Sequence, residues 1–552
     1  MRRTALESLK MHDQFRLMFR TLVIAICFIN VSALSQSIYL TPSHEVYPFL
    51  KRMEARGLLH DYRDAAKPLS RLVLARHLKA LAGAVDRMTE VERDEYEFLK
   101  GEFHYELSTL EGDLEPSEIR WHVISETYPG GILNLEPNLL FGQTNIGKEY
   151  DRVRSQGIKM YGYMYDDIGY YFNFADSREV GSAINFNKVN TPDPGIAPTF
   201  QSANALEYNT IEAQFTFHLG AFDFSLEKMQ NIWGLERNGN LTFSNKAPSY
   251  PQIKMRVPIT DWMDFIYLHA DLNSKVIDSS RSYFANSSTI LNYFREVDRL
   301  KYMAAHMIEL SPIRGVDVSL GESVVYSDRG PLLLYLIPVM FFKAGEHYNI
   351  DKDNIQWFGN IDLNLIHNVN VYGSLFIDDL SLDKITSAQE HPNYFGYTVG
   401  FQTYDVLLRN VELSVEYTRI NPWVYTHKYP ALEFTNDGYV MGNWMGQNAD
   451  NLTIDLSCRP TRSLQLGGTY QMYRKGGLAD IWYQYAGPTL ALPFLYGPHH
   501  EERSYGLHAK YQFVRDGFLD ARVTSRNTND EALNIRDDRK LEFSVTARYG
   551  IW

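Results

Sequence analysis

The sequence predicts an all-β membrane protein, a closed antiparallel β-barrel of the outer-membrane type that follows a small N-terminal helical domain. Three observations support this prediction. Apolar and polar side chains alternate along many segments, tyrosine and phenylalanine are frequent with 37 and 30 copies, and an export signal begins the chain. In a barrel strand apolar residues alternate with polar ones, so a chain rich in aromatic residues can still have a low mean hydropathy, here -0.31.

Length and charge exclude several classes of protein. The 552 residues exceed one ordinary globular core, whereas a large barrel is a single unit. Beyond the N-terminus no apolar run approaches the ~20 residues of a spanning helix. The net charge of -13 argues against a nucleic acid partner. Cys27 lies in the leader, so the mature chain keeps only Cys458, and we expect no intrachain disulfide, no metal site built from several cysteines and no cofactor.

Residues 1–35 are predicted to be a cleaved signal peptide. Basic residues precede the apolar stretch Thr21–Ile29, and Ala33 and Ser35 supply the small side chains that signal peptidase reads. We place cleavage after Ser35. A membrane-anchoring helix is the alternative, but the apolar stretch is short and Asn30 interrupts it.

Residues 36–118 are predicted to form the helical domain. A helical period begins with the residues Val46, Phe49, Leu50 and Met53. Gly57 can end this helix, and Ser70 can cap a second helix that follows it. Acidic residues are frequent from Glu90 to Glu118, which indicates further helix or linker.

The same domain resembles the helix–turn–helix of S-layer homology modules. The resemblance rests on Tyr47, Phe49, Leu50, Arg52, Gly57–Leu59 and Pro68–Arg71. It implies peptidoglycan or another cell-wall polymer as a partner. The alternative, which we favour, is a periplasmic helical cap that packs on the barrel.

Residues 119–552 are predicted to form the transmembrane barrel. Successive residues of a strand point to opposite faces of its sheet, and here one face is apolar while the other carries polar and ionised groups. The clearest segments are Ile211–Leu219, Val411–Thr418, Leu452–Ser457 and Leu541–Tyr549. Glu412, Glu416 and Asp455 are expected to face the lumen.

A soluble β-sandwich would alternate in the same way, but three features favour the membrane. Tyrosines crowd predicted strand ends, where amphipathic rings suit a bilayer interface: Tyr161, Tyr163, Tyr165, Tyr170 and Tyr171. The chain carries an export signal and no disulfide. It also ends on the aromatic Trp552, although this residue is out of phase with the last alternating segment.

The length predicts the number of strands. About 430 residues remain for the barrel, and each spanning strand with its share of turn and loop takes roughly 20–25 residues. The barrel is therefore expected to have about 17 to 21 strands, with an even number being usual.

No catalytic signature stands out, and we expect a protein that is not an enzyme. The sequence lacks a Gly-rich phosphate loop and the HExxH and GxSxG motifs. His499–Glu502 could bind a metal, but its position between Pro498 and Tyr505 favours a loop. Asp378 and Asp379 are adjacent, so on a strand they would face opposite ways, and a role at a strand end is favoured.

The most distinctive segment is Asn231–Pro251, which combines Trp233 and Arg237 with several amides, glycines and prolines. A sugar site uses an aromatic face for stacking, with amides and arginine for hydroxyl or carboxylate groups. A constriction loop of the barrel, shaped by its glycines and prolines, explains the composition equally well. Both interpretations stay open at this point.

At this segment the chain resembles the Wzi capsule-assembly family. The matching stretches follow in order and cover most of the chain after residue 40. They are Trp233–Gly234, Ser244–Asn245, Pro248–Pro251, Ala305–Glu309, Gly321–Ser327, Tyr335–Pro338, Phe341–Phe342, Asp353–Asn354, Tyr372–Asp379, Asn421–His427 and Gly446–Asp450.

The resemblance implies a barrel of about 18 strands that binds capsular or exopolysaccharide like a lectin and organises the capsule at the cell surface. We also expect outer-membrane lipid, lipopolysaccharide and the barrel-assembly machinery as partners of the barrel. The candidate polysaccharide-binding or lumen residues are Trp233, Arg237, Asn238, Asn245, Trp423 and Trp444. A porin for small solutes is the alternative function, and an outer-membrane hydrolase is the least favoured.

Overall fold

The computed structural model describes residues 38–111, 120–164, 168–220, 222–285, 293–349, 353–379, 394–406, 408–478, 480–482 and 492–550. The predicted signal peptide, its cleavage point and Trp552 lie outside these residues. Tyr165 lies outside them as well.

Eighteen antiparallel strands close into one barrel. The first nine are β1 (Gly131–Ile146), β2 (Glu149–Met164), β3 (Ile168–Gly181), β4 (Ala205–Leu219), β5 (Phe222–Met229), β6 (Tyr250–Thr260), β7 (Met263–Ile277), β8 (Asp298–Ile313) and β9 (Val316–Ser327). The others are β10 (Asn354–Ile366), β11 (Val369–Asp379), β12 (Tyr394–Tyr404), β13 (Val411–Ile420), β14 (Ala449–Thr461), β15 (Leu464–Lys475), β16 (His500–Val514), β17 (Gly517–Asp530) and β18 (Ile535–Tyr549). Pairing of β18 with β1 closes the ring, so the predicted fold class and strand number are confirmed.

The alternation of side chains across the sheet is also confirmed. On β4 the side chains of Ile211, Phe215 and Phe217 are exposed on the outside, whereas Gln214 and Thr216 are buried on the inside. A sheet with an apolar outer face must close when it lies in lipid, because lipid offers no partner to an unpaired backbone group. The outer face is therefore the membrane-contacting face of the barrel.

The connections between strands alternate in length and define two ends of the barrel. Two-residue turns such as Asp261–Trp262 and His367–Asn368 join strands at the short-turn end. The opposite, long-loop end carries the described parts of the connections 182–204, 230–249, 278–297, 328–353, 421–448 and 476–499. Within the described residues of the third of these, Tyr283–Ala285 and Tyr293–Arg295 pair as a small hairpin.

The N-terminal helices fill the short-turn half of the barrel. They are α1 (Val46–Ala55), α2 (Arg71–Ala80), a 3₁₀ turn (Leu81–Arg87), α3 (Glu90–Glu102) and α4 (His104–Glu111). We call residues 38–111 the plug. Ser70 caps α2 by accepting a hydrogen bond from the Val73 N–H at 3.3 Å, and Gly57 ends α1 with a φ of 63°. Among the described helices, none has the length and apolar character needed to cross a membrane.

Hydrogen bonds and ion pairs join the plug region to the short turns at the rim of the barrel. The Asn368 N–H donates to the Ala55 carbonyl at 2.8 Å, and Arg120, which follows the plug, binds Asp516 at 2.5 Å. Tyr47, Phe49 and Leu50, which carry the resemblance to S-layer modules, are buried in the plug core. This burial favours the packing interpretation of these helices.

Two predictions about local structure were wrong. Tyr161 and Tyr163 do not lie at the lipid interface; they point inward, where Tyr163 stacks on Tyr105 of the plug with ring centroids 5.3 Å apart. Residues from His500 onward are a strand and not a loop, because they pair with Lys475 on one side and Asp530 on the other. The plug explains the first error, since it supplies apolar partners inside the barrel.

Candidate functional site

The segment 230–249, here called the lumen loop, folds from the long-loop end into the barrel and meets the plug. Ile232 and Trp233 pair with Lys67 and Ala66 as a two-residue β-bridge, and the Gly234 N–H donates to the Ala65 carbonyl at 2.8 Å. The connection 421–448 closes over the same region, where the Ser244 N–H donates to the Met441 carbonyl at 2.8 Å. Three separate parts of the chain therefore fill the lumen together.

The predicted tryptophans form the packing of this assembly. The side chain of Trp233 is 0% exposed and meets Phe243 and Phe358 edge to face, at 5.0 and 5.9 Å between centroids. Trp423 is buried in the same way against Tyr394. No ring face of Trp233 or Trp423 is open for stacking on a sugar, so the structure contradicts that use of them and supports the packing interpretation.

Glu416 anchors the lumen loop to the barrel wall. Its carboxylate accepts hydrogen bonds from the Arg237 N–H at 2.8 Å, from the Asn238 N–H and Nδ2 at 3.0 Å each, and from the Tyr372 hydroxyl at 2.6 Å. Arg237 also forms an ion pair with Glu412. Side chains at even spacing along a strand share a face, and Glu412 and Glu416 of β13 are four residues apart. Both therefore point into the lumen, as the alternation predicts.

Trp444 links this anchor to the connection 421–448. Its indole Nε1 donates to the Asn238 carbonyl at 2.8 Å, and its ring lies 5.0 Å from that of Tyr473. Asn238 is thus held on its backbone and on its side chain. Both residues hold the lumen loop in place.

A polar cavity of about 480 Å³ lies between the plug and the lumen loop. Its walls offer amide, carboxylate, hydroxyl and cationic groups, among them Lys67, Gln230, Glu236, Arg237, Asn240, Asn245, Gln402, Tyr404 and Glu412. Such mixed donors and acceptors suit a ligand rich in hydroxyl groups. Of the six predicted site residues, Arg237 and Asn245 line this cavity.

Sequence reasoning missed most of the other lining residues. Lys67 comes from the plug, Asn240 from the lumen loop, and Gln402 and Tyr404 from β12. Their spacing along the chain gives no sign that they meet. The alternation on β12 would have placed Gln402 and Tyr404 on one face, but not which loop packs against them.

Glu236 is a buried carboxylic acid of the lumen loop whose pKa is raised. Burial, together with the nearby Glu416, raises the pKa of its carboxyl to about 7. The carboxyl accepts hydrogen bonds from the Leu241 N–H at 3.1 Å and from Asn240 Nδ2 at 2.9 Å. Near neutral pH this group can therefore act as either a donor or an acceptor at the cavity wall.

Glu54, Asp317 and Asp362 are the carboxylates most suited to hold a metal ion among the described residues, since their ligand atoms lie within 4.8 Å of one another. The ammonium group of Lys51 lies beside these carboxylates. It contacts Glu54 at 3.3 Å and forms an ion pair with Asp362. Its ammonium group supplies the positive charge that a cation would bring. We interpret the cluster as an anchor between the plug and the barrel.

The other two candidate groups found in the sequence are structural. The backbone of His499 donates to Glu531 at 3.0 Å, and the ring of His500 contacts Asp530 at 2.9 Å. Asp378 accepts a hydrogen bond from the Tyr425 N–H at 2.5 Å at the end of β11. The side chain of Asp379 lies outside the described residues.

These features define a transmembrane β-barrel of the outer-membrane type, plugged by helices and loops around a polar cavity, which places the chain in the outer membrane of a Gram-negative bacterium. The chain belongs to the family described as capsule assembly protein Wzi, whose family model matches residues 148–538. The resemblance seen in the sequence is therefore confirmed.

Solved structures share the architecture. The outer-membrane protein Wzi of Escherichia coli, described as a carbohydrate-binding β-barrel involved in group 1 capsule assembly, is 11% identical with a TM-score of 0.57, covering 94% of this chain and 99% of that one. Pseudomonas aeruginosa OprD and Acinetobacter baumannii OccAB2 are each 10% identical with TM-scores of 0.42, covering 76% of this chain and 94% and 97% of theirs. A comparison with curated proteins finds no match. At this identity the likeness to Wzi shows a shared fold.

Proposed function

We propose that the protein binds capsular or extracellular polysaccharide at the cell surface and helps to attach and organise the capsule. Membership of the Wzi family supports this function. The observation that carries it is the polar cavity of about 480 Å³ inside a plugged barrel, where a hydroxyl-rich chain finds donors and acceptors on every side.

The connections orient the barrel in the membrane. Outer-membrane barrels have short periplasmic turns and longer extracellular loops. We therefore place the long-loop end at the cell surface and the plug on the periplasmic side. In this orientation the lumen loop, which carries Arg237 and Asn245, enters the barrel from the outside, which is where capsular polymer lies.

We propose a binding role without catalysis. Two lumen carboxylates serve as anchors: Glu416 holds the lumen loop and Glu412 holds Arg237. Lipopolysaccharide, outer-membrane lipid and the barrel-assembly machinery remain the expected partners of the barrel. Binding of cell-wall polymer by the plug is disfavoured, because the residues that resemble S-layer modules are buried.

Deletion of the gene tests this function directly. Capsular polymer should then appear in the medium while its total synthesis continues, as measured by a uronic acid or immunochemical assay of cell-bound and released fractions. Complementation with the intact gene should restore retention. Unchanged surface retention in the deletion strain would refute the proposal.

A porin function is distinguished by conductance. With the plug and two loops in the lumen, the protein should show little steady ionic current in planar bilayers, and should retain the polysaccharide on an affinity column. A large open current without retention would favour the porin.

A further inference from the structure

The described part of the connection between β9 and β10 lies on the outside of the barrel. We call residues 328–349 the strap; it includes the helix α5 (Phe342–Tyr348). Tyr335 and Phe342 of the strap are fully buried, and they pack against Met255, Phe265, Tyr267, Ala304, Val324 and Tyr326 of strands β6 to β9.

The neighbours of these wall residues show that they face outward. Arg256 and Asp264 bind each other inside the barrel, where Arg256 donates to the Ala66 carbonyl of the plug. Met255 and Phe265 are adjacent in sequence to Arg256 and Asp264, so their side chains point to the opposite, outer face. The strap therefore covers the face that the rest of the barrel turns toward lipid.

A polar pair lies on the wall beneath the strap. His306 of β8 and Glu322 of β9 are cross-strand neighbours, with Nε2 and Oε1 3.2 Å apart. Glu322 also accepts hydrogen bonds from the Phe342 N–H at 2.7 Å and from Trp357 Nε1 at 3.3 Å. Ionisable groups are costly at a lipid contact. The strap shields them, since the side chain of Glu322 is only 5% exposed.

Polar contacts tie the strap to the wall above this pair. The Tyr267 hydroxyl donates to the Tyr335 carbonyl at 2.7 Å, and the Leu332 N–H donates to the Tyr326 hydroxyl at 3.2 Å. Glu322 lies five residues before Ser327, the end of β9. At about 3.3 Å per residue, α5 therefore reaches roughly 16 Å back along the strand, well into an apolar band that is ~25 Å tall.

The outer surface of the strap is strongly apolar over residues 331–341. Leu333 and Val339 are 81% and 78% exposed, and Ile337, Phe341 and Tyr348 are exposed with them. A patch of this kind marks an interaction surface and not a water-facing loop. On the same strands Ile308 and Leu320 are exposed toward lipid, so the patch continues the membrane-contacting face of the barrel.

We propose that the strap is a membrane-embedded element whose exposed side chains contact the acyl chains of the outer leaflet. The inner side of the strap covers the His306–Glu322 pair. Its outer side presents apolar side chains to the lipid at the place where this polar pair would otherwise be exposed. Continuity with the lipid-facing belt identifies the acyl chains as the occupant of this surface.

Site-specific fluorescence tests the proposal on the full chain in lipid vesicles. Cys458 is replaced by Ala, and a single cysteine at Val339 or, independently, at Leu333 carries an environment-sensitive nitrobenzoxadiazole label. A label at Leu533, which is 70% exposed in the turn between β17 and β18, is the matched control. Heat-modifiable migration in gel electrophoresis verifies that each variant is folded.

The labels at Val339 and Leu333 should emit at shorter wavelength and be quenched by doxyl-labelled lipids, while the label at Leu533 is quenched by aqueous iodide. Aqueous quenching of the strap labels to the same extent as the control would overturn the proposal. Protection from both quenchers, with disulfide cross-linking between V339C chains, would also overturn it by showing a second copy on the strap.

Discussion

Glu416 illustrates how one side chain organises the lumen. It receives hydrogen bonds from two backbone N–H groups, one amide and one hydroxyl, so one carboxylate of β13 holds the backbone of the lumen loop, while Glu412 of the same strand holds the Arg237 side chain. Hydrogen bonds to charged groups contribute about 1.5–3 kcal/mol each and are not additive. Removing this acceptor leaves several buried donors without their partner.

Replacement of Glu416 by Ala should loosen the lumen loop. We expect larger and more fluctuating ionic current in planar bilayers than the unchanged protein gives, because the loop no longer fills the lumen steadily. Asp455→Ala is the control, since Asp455 accepts a hydrogen bond from Thr469 of the neighbouring strand at 2.7 Å and does not hold the loop. Identical currents from both variants would contradict the anchoring role.

His44 should make the plug sensitive to acid. Burial lowers the pKa of its imidazole to about 3, and its Nδ1 accepts a hydrogen bond from the Val46 N–H at 3.2 Å, which protonation would remove. Since the folded pKa lies below the unfolded value of 6.5, this contribution to stability is complete above pH 6.5 and is lost as the pH falls through that range toward 3.

The free energy of unfolding of the plug should therefore fall by up to about 1.4 kcal/mol per pH unit from this group alone as the pH drops below 6. Denaturant titration followed by limited proteolysis at several pH values measures this slope. His44→Gln should flatten it. A variant with the slope of the unchanged protein would show that other groups carry the acid sensitivity.

At the scale of elements, the sequence predicts a helix or a strand best where only one face is buried. The cap at Ser70 and the alternation of Ile211–Leu219 are local signals, and both are present in the structure. On β7 the alternation disappears, because Ile266, Leu268 and Ala270 pack inward on the lumen loop while Phe265 and Tyr267 pack outward on the strap. Neither partner could be inferred from the strand itself.

Helix α3 offers a test of local capping. The Thr89 hydroxyl accepts a hydrogen bond from the Glu92 N–H at 3.2 Å, the Glu92 carboxylate accepts one from the Thr89 N–H at 2.8 Å, and the same hydroxyl donates to Asn410 of the barrel. Thr89→Ala should lower the free energy of unfolding of the plug by about 1 kcal/mol or more. Thr89→Ser keeps the hydroxyl and should be close to the unchanged protein in thermal unfolding. Equal loss in both variants would rule out the cap as the cause.

At the scale of the whole molecule, ion pairs of the plug with the barrel hold the two parts together. Lys51 of α1 lies among Glu54, Asp64 and Asp362, and burial raises the pKa of Glu54 to about 8. Removing one partner of a buried pair leaves an uncompensated charge and costs about 3–5 kcal/mol. An exposed pair contributes about 1 kcal/mol or less.

Lys51→Met should therefore destabilise the plug far more than Lys510→Met, because Lys510 and Glu45 form a pair at 3.1 Å that is about a third exposed on each side chain. Protease cleavage within residues 38–111 of the folded barrel, followed over time, measures the difference. Similar cleavage rates for the two variants would argue against the acidic cluster as the main anchor.

Much of this architecture was predictable and part of it was not. The strand number, the outer-membrane barrel class and the N-terminal helices follow from chain length, periodicity and caps. The position of the plug inside the barrel and the composition of the cavity depend on long-range contacts such as that of Ala66 with Trp233. These two residues are 167 positions apart, and nothing in the sequence indicates that they pair. For the same reason the buried state of Trp233 could not be distinguished from an exposed sugar platform.

The short β-bridge of Ala66 and Lys67 with Trp233 and Ile232 has a mechanical consequence. Tension applied to the lumen loop from outside the cell passes through these main-chain hydrogen bonds to the helices and then, through Lys51 and Asp362, to the opposite rim of the barrel. A load taken at one surface of the membrane is thus partly borne at the other.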